Sequence, residues 1–339
     1  MNGAAEPVRK LALRISVTDR CQLRCGYCMP PDGVPLRAHA DATLRRGEAP
    51  SLRSTSIMRY EEIAAFVRLL NRVAPLGKLR LTGGEPLVRP DIERLVAMLA
   101  GLHIPDMALT TNGQLLAERA GALKGAGLGR VNVSLDSLNE RTYRKLTCGG
   151  VLGRTLGGIA EALCRGLCPL KTNTVVLRGV NDSEILNLVA FAVERGIEAR
   201  FLEVMPIGVA AKHGREWFFA GAEVKAVIET SYRLEALPRE PGSTCRSFAV
   251  LDQGGVVGRI GLISACSEPF CHDCGRLRLT SDGRLIGCLA VDIGVPVRAL
   301  LASGPEGVEQ LESVIGAILA RKKVRDTFHQ PQIMAAIGG

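Results

Sequence analysis

Aromatic side chains are scarce in this sequence, with one Trp, four Tyr and eight Phe among 339 residues. Proteins that hold single-stranded nucleic acid without sequence preference stack bases on aromatic platforms, so that class is disfavoured despite a formal charge of +9. The Lys and Arg residues are spread along the chain instead of forming one block. Such an excess suits an anionic partner, and with so few aromatics a nucleotide fits better than a polymer. No apolar run reaches the roughly 18 residues that would suggest a membrane-spanning helix. Residues Met1 to Lys10 lack the apolar centre of a secretory signal. Eleven cysteines without such a signal predict a reducing, cytoplasmic setting and metal ligation over disulfides.

A fourth cysteine is missing from the stretch Cys21-Gln22-Leu23-Arg24-Cys25-Gly26-Tyr27-Cys28; the next one along the chain is Cys148. Three thiolates spaced C-x3-C-x2-C can reach three corners of one metal cluster from a single loop. A 4Fe-4S cube is ordinarily held by four cysteines, so a cube held here would keep one iron open to another ligand. A zinc site is the competing reading, but it wants four closed ligands. The nearby His39 sits in a Pro-, Arg- and Ser-rich stretch with no period.

The chain is long enough for one large α/β domain or two modest ones. Leu11, Leu13, Ile15 and Val17 alternate with Ala12, Arg14 and Ser16, which predicts a strand over Lys10 to Thr18. Pro30 to Ser56 reads as a long loop. Tyr60 to Val73 has a helical period with two Glu in its first turn. Lys78 to Thr82 is a strand that ends in Gly83-Gly84-Glu85-Pro86, and Asp91 is expected to cap a helix running through Ala100. Strands at Met107–Thr111, Arg130–Leu135, Lys171–Leu177 and Ala199–Val204 follow. They alternate with helices at Leu115–Gly125, Gly157–Cys164 and Glu184–Arg195. This rhythm predicts an α/β fold, a βα barrel complete or partial. The polar residues at its strand ends would then form the site. After about residue 240 the rhythm stops. Short strands are expected at Ser247–Leu251, Gly255–Ile263, Arg276–Thr280 and Arg284–Gly287, beside a second cysteine group, Cys271, Cys274 and Cys288. Cys266 lies just upstream, and with it the group could instead close a four-cysteine zinc or cluster site. Cys148, Cys164, Cys168 and Cys245 are expected to be packing residues. Arg14 and Arg80 alternate with apolar residues inside strands, so a barrel would turn them into its lumen. An unpaired cation is costly there, and this argues for an anion nearby.

The C-x3-C-x-Y-C loop after the first strand and GGEP after the second resemble the radical S-adenosylmethionine superfamily. Within it, Phe270-Cys271-x2-Cys274-x-Arg276-x-Arg278-Leu279-Thr280 with Cys288, Lys171-x-Asn173, Phe201-Leu202-Glu203-x-Met205-Pro206 and the terminal Gly338-Gly339 resemble the GTP 3′,8-cyclase family of molybdenum cofactor biosynthesis. The likeness runs from about Leu11 to Gly339. It implies a partial βα barrel of TIM type (residues 1–240) and a C-terminal cluster-binding extension across the barrel mouth (residues 241–339). Two 4Fe-4S clusters are implied, on Cys21, Cys25 and Cys28 and on Cys271, Cys274 and Cys288. It implies S-adenosylmethionine contacts at Tyr27, Gly84, Glu85, Ser134 and Met205, with Gly83 and Gly84 admitting its methionine end closely. GTP contacts are implied at Arg14, Arg80, Thr110, Lys171, Arg276, Leu277 and Arg278, with Lys78 a further basic position and Arg14 also the candidate catalytic residue, a group near the ribose. The reaction implied is a lyase-class cyclisation: a 5′-deoxyadenosyl radical takes hydrogen from C3′ of GTP, and C3′ attacks C8. Implied partners are GTP, a flavodoxin-like reductant protein, a downstream cyclic pyranopterin monophosphate synthase and a second copy of the chain, with no membrane or nucleic acid. Competing expectations are a radical enzyme whose second cluster only transfers electrons, and a non-catalytic metal-binding scaffold for nucleic acid. The Gly-Gly tail is expected in the active site, and the Arg37–Ser56 loop to be longer and more basic than is usual in the family.

Overall fold

The computed structural model describes residues 11–29, 57–239, 242–271, 274–289 and 294–322. The Arg37–Ser56 loop and the Gly-Gly tail therefore lie outside the described residues. Six strands, β1 (Leu11–Ser16), β2 (Leu76–Thr82), β3 (Asp106–Thr111), β4 (Arg130–Ser134), β5 (Lys171–Val176) and β6 (Glu198–Glu203), pair in chain order and all in parallel. Parallel neighbours need a long crossover. The helices α1 (Tyr60–Val73), α2 (Ile92–Ala100), α3 (Leu116–Gly125), α4 (Glu140–Thr147), α5 (Leu152–Cys164) and α6 (Ile185–Glu194) lie in those connections.

Side chains alternate across each strand. Leu13, Ile15, Leu79, Leu81, Leu109, Val131 and Val133 are buried on one face and join a single core with Phe66, Val67, Leu95 and Val96 of the helices. The opposite face carries Arg14, Arg80, Ala108 and Arg130 in one register row, and Thr110, Asn132, Lys171 and Glu198 in another. Oil on the helix side and charge on the inner side is what a barrel lumen asks of these strands.

Two helices add α7 (Ala210–Trp217) and α8 (Gly221–Glu229), and the strands after β6 then enlarge the same sheet at both edges. At one edge β9 (Gly255–Ile263) runs parallel to β6, with β8 (Arg246–Asp252) and β7 (Arg233–Ala236) antiparallel outside it. At the other, β10 (Arg276–Leu279) runs parallel to β1, followed by antiparallel β11 (Arg284–Ile286) and β12 (Gly294–Pro296). Eight strands in a row are thus parallel. Among the described residues no pairing joins β12 to β7, so the barrel is incomplete. Two further helices, α9 (Arg298–Ala302) and α10 (Gly304–Lys322), close the described chain, and both contact α1.

Several expectations needed correction. Asp91 precedes α2 but makes no side-chain cap; it has φ 52° and leaves the turn without that bond. The helix expected from Gly157 begins at Leu152, and Gly158 in it is a packing requirement: a Cβ there would lie 2.7 Å from the Gly113 carbonyl oxygen. Helix α4 was not anticipated because it is short and polar, although Asn139 caps it by accepting from the Thr142 N–H at 3.0 Å.

Candidate active site

The first cysteine loop leaves the C-terminal end of β1 and is latched to the end of β2. Gly84 N–H donates to the Thr18 carbonyl and Glu85 N–H to the Arg20 carbonyl, both at 2.8 Å. The glycines allow this approach. A Cβ on Gly83 would stand 2.5 Å from the Thr18 oxygen, and one on Gly84 2.3 Å from the Arg20 oxygen. The expected role of these glycines toward a ligand is thus joined by one toward the loop itself. On its other side the loop is tied to the end of α4, through Arg24 N–H to Thr147 O and Gly26 N–H to Leu146 O.

Burial pushes the Cys25 thiol well up, and the charges of Cys28, Asp136 and Cys21 add to this. The Cys21 thiol is also raised by burial. Three thiolates on one short loop repel one another and favour a cation among them. They supply three corners of a 4Fe-4S cube, whereas a structural zinc site wants four closed ligands, so the donor set fits the cluster better than zinc.

Around this loop the structure assembles polar groups from three strand ends. Glu85 is 1% exposed. It accepts from Leu87 N–H at 3.0 Å, Thr111 Oγ1 at 2.7 Å and Asn112 N–H at 2.7 Å, yet burial still raises its carboxyl to about 7. Asn112 Nδ2 lies 3.7 Å from Cys21 Sγ. Tyr27 OH donates to Asp136 Oδ2 at 2.7 Å, while Asp136 Oδ1 accepts from Val175 N–H. Burial raises Asp136 to about 6. Ser134 ends β4 two residues earlier. Neither Asn112 nor Asp136 was among the predicted site residues, though both sit at polar strand ends.

The second cysteine group stands at the other end of the strands. Cys274 lies two residues before the start of β10, where Arg276 is level with Ala12 near the start of β1. Strand β11 returns antiparallel, with Ile286 opposite Arg278, and so delivers Cys288 to the same end. Cys274 N–H donates to the Cys271 carbonyl at 3.2 Å. Burial opposes ionisation of Cys274, but Arg276 and Lys322 overcome it and bring the thiol to about 7. This donor set also fits a cluster. Arg276 lies over the Phe270 ring at 5.1 Å, and Lys322 from α10 donates to the Arg276 carbonyl. Cys266 is directed elsewhere: its thiol donates to Val204 O at 3.7 Å, and its N–H, with that of Ser267, is held by Glu203. Met205, just past the end of β6, packs against the small cluster of Ile207, Ile286 and Leu289.

Between the two groups lies the charged inner face. Arg14 is level with Arg80 on one side and Arg278 on the other. Burial presses strongly against the Arg14 charge, and Arg278, Arg276, Arg80 and Arg200 press further. The Nε atoms of Arg276 and Arg278 are buried without a hydrogen-bond partner. Crowded cations with orphaned donors describe an anion site. Thr110 and Lys171 lie on the same face, and Lys78 is level with Asp106. Leu277 is the exception: fully buried and level with Leu13, it turns its side chain to the core and leaves only its main chain for a substrate. Sequence reasoning passed over Arg130, Arg200, Asp106 and Glu198, which occupy this face too. Asp106 binds Arg80 at 2.5 Å and Arg130 at 3.0 Å. Glu198 binds Lys171 at 2.7 Å and Arg200 at 2.6 Å.

Residues 15–192 match the radical SAM superfamily and residues 197–328 match the molybdenum cofactor synthesis C family. A GTP 3′,8-cyclase of Moorella thermoacetica is 40% identical, covering 96% of this chain and 97% of its own. One from Geobacter sulfurreducens is 38% identical, covering 96% of each. Among solved structures, Streptococcus suis SuiB bound to S-adenosylmethionine aligns with a TM-score of 0.60 at 15% identity, over 92% of this chain and 68% of that one. At that identity it speaks for the fold alone.

Proposed function

This chain belongs to the radical SAM superfamily and, within it, to the GTP 3′,8-cyclase family, and from that premise we propose that it converts GTP to (8S)-3′,8-cyclo-7,8-dihydroguanosine 5′-triphosphate, the first step of molybdenum cofactor biosynthesis. The observation that carries this reading is the cation-lined inner face running between two three-cysteine groups at opposite strand ends. Two clusters alone would suit many radical enzymes. A lumen of buried guanidiniums between them suits a polyphosphate, and this disfavours a second cluster used only for electron transfer.

Cys21, Cys25 and Cys28 would hold the cluster that binds S-adenosylmethionine, with Tyr27, Gly84, Glu85, Ser134 and Met205 as its contacts. Cys271, Cys274 and Cys288 would hold the second cluster, beside the guanine. The bound cofactors supply the one-electron chemistry that removes hydrogen from C3′ of the ribose. The chain's own work is positioning. Arg14, Arg80, Thr110, Lys171, Arg276 and Arg278 bind the anionic substrate, joined by the main chain at Leu277. Forked guanidinium contacts from several strands fix the ribose between the two ends. That placement turns the attack of C3′ on C8 into an intramolecular event between aligned atoms. Arg14, on the strand that feeds the first loop, is the group assigned to the ribose. The hydrogen bond from half-buried Tyr27 to buried Asp136 fixes the loop against the end of β4.

The division into residues 1–240 and 241–339 is then one of role within a continuous sheet. The reading extends to a reductant protein of flavodoxin type, to a downstream cyclic pyranopterin monophosphate synthase, to a homodimer and to a cytoplasmic location. No described helix is long and apolar enough to cross a membrane. The test is anaerobic incubation of the two-cluster protein with dithionite and S-adenosylmethionine, with and without GTP, assayed for 5′-deoxyadenosine. Strong stimulation by GTP, with GTP consumed into a cyclised dihydro product, is expected. Cleavage indifferent to GTP would remove the substrate assignment, and no cleavage with both clusters present would remove the activity.

A further inference from the structure

We propose that Asp106 and Glu198 are positioning residues, each aiming a pair of inner-face cations from the strands at the polyphosphate of the substrate. The assignment rests on the GTP reading above and deepens it.

The inner face brings like charges together at a cost. Arg80 and Arg130 project from β2 and β4, on either side of β3, whose first residue is Asp106. Asp106 Oδ2 accepts from Arg80 Nη2 at 2.5 Å, and its main-chain oxygen accepts from Arg80 Nη1 at 3.0 Å. Arg130 meets the same carboxylate as a fork, Nε to Oδ1 and Nη2 to Oδ2, both at 3.0 Å. Arg130 Nη1 also donates to Asn132 Oδ1, and Asn132 in turn reaches Thr110 Oγ1 at 3.5 Å. The second unit repeats the logic on β5 and β6: Glu198 accepts from Lys171 Nζ through Oε2 and from Arg200 Nε through Oε1. Glu198 is 7% exposed, and its partners Lys171 and Arg200 are largely but not fully buried beside it.

Each carboxylate is shared by two cations, so each unit keeps a net positive charge and still attracts an anion. A lone flexible Lys or Arg would lose side-chain freedom when it grips a phosphate, whereas a braced one has already lost it. Burial opposes the Asp106 charge, but its Arg80 and Arg130 hydrogen bonds hold the carboxyl at about 2; the brace is therefore anionic at any working pH.

The sign of the mutant effect separates bracing from simple charge balance. If these acids merely offset excess positive charge, neutralising them would raise the local potential and tighten anion binding. If they aim the cations, neutralising them weakens it. The experiment compares the two-cluster parent with Asp106→Asn and Glu198→Gln. It measures equilibrium binding of GTP, inorganic tripolyphosphate and guanosine without S-adenosylmethionine, then KM and kcat with it. Weakening of GTP and tripolyphosphate by the same factor, about tenfold or about 1.4 kcal/mol, is expected. Guanosine binding, iron content and kcat should stay near the parent, and Asp106→Glu should recover part of the loss. Unchanged or tighter tripolyphosphate binding in the variants overturns the assignment, as does equal loss of guanosine. If Asp106→Asn does not fold, Glu198→Gln decides by the same outcomes. A parent that binds neither GTP nor tripolyphosphate would instead refute the substrate reading itself.

Discussion

Replacing Gly84 with Ala should remove the first cluster and leave the second. The added Cβ would sit 2.3 Å from the Arg20 oxygen and 2.6 Å from its carbonyl carbon. Those are main-chain atoms, so no rotamer change relieves the overlap and the loop from Thr18 to Arg20 must move. Moving it strains or breaks two bonds of 2.8 Å, Gly84 N–H to Thr18 O and Glu85 N–H to Arg20 O. Overpacking in a tight site costs about 1–3 kcal/mol, and each lost hydrogen bond about 1 kcal/mol, so the local penalty is about 3–5 kcal/mol. It falls on the segment that leads straight into Cys21. The second cysteine group lies at the other end of the strands, so it should load normally. Iron analysis and electron paramagnetic resonance after anaerobic reconstitution would show about half the parent's iron, with GTP binding kept and S-adenosylmethionine cleavage lost. A variant that holds both clusters and cleaves at the parent's rate would refute the latch.

Cys266→Ala should keep both clusters and GTP-stimulated cleavage, because its thiol is bound to Val204 O; iron lost from the second cluster alone would revive the four-cysteine reading. Glu85 has its carboxyl raised from 4.5 to about 7 by burial, so the folded state binds its proton more tightly than the unfolded one. That contribution is full below pH 4.5 and fades as pH rises through 7, by about 3 kcal/mol. Denaturant melts should show this slope in the parent and not in Glu85→Gln, and parallel slopes would contradict the assignment. Arg278→Ala, which removes a buried donor facing the lumen, should raise the GTP KM about 10- to 100-fold, at 1.5–3 kcal/mol for a charged hydrogen bond. An unchanged KM would place the substrate elsewhere.

Much of this was legible in the chain itself, and the exceptions have physical causes. The alternation of Leu13 and Ile15 with Arg14 is a local property, so β1 and the inward direction of Arg14 follow from the sequence. The cysteine spacings are local too. What could not be read is pairing between distant segments. Nothing in Arg276–Leu279 says that it runs beside β1, 260 residues earlier, and in the same direction; the β10 pairing decides where the second cysteine group stands. The same holds for Asp136, visible as a strand end but given meaning by Tyr27, 109 residues away. Arg130 and Arg200 alternate with Val131 and Phe201 as Arg14 does with its neighbours, so that signal was present. Asp106 begins its strand and looks like a turn residue until Arg80 and Arg130 close on it.

The direction of β10 makes β1 a ruler. The row of Ala12 and Arg276 marks the second group's end of the strands, and Ser16 with Thr82 marks the first group's end. Four residues separate them, roughly 13 Å at about 3.3 Å per residue. Both ends belong to strands hydrogen-bonded to each other, so the gap is set by residue count and not by the swing of two bodies on a hinge. Inserting two residues into β1 and its neighbours would stretch it by about 7 Å. A molecule gripped at both ends is thus measured by the backbone, in a sheet whose end strands β12 and β7 do not pair with each other among the described residues.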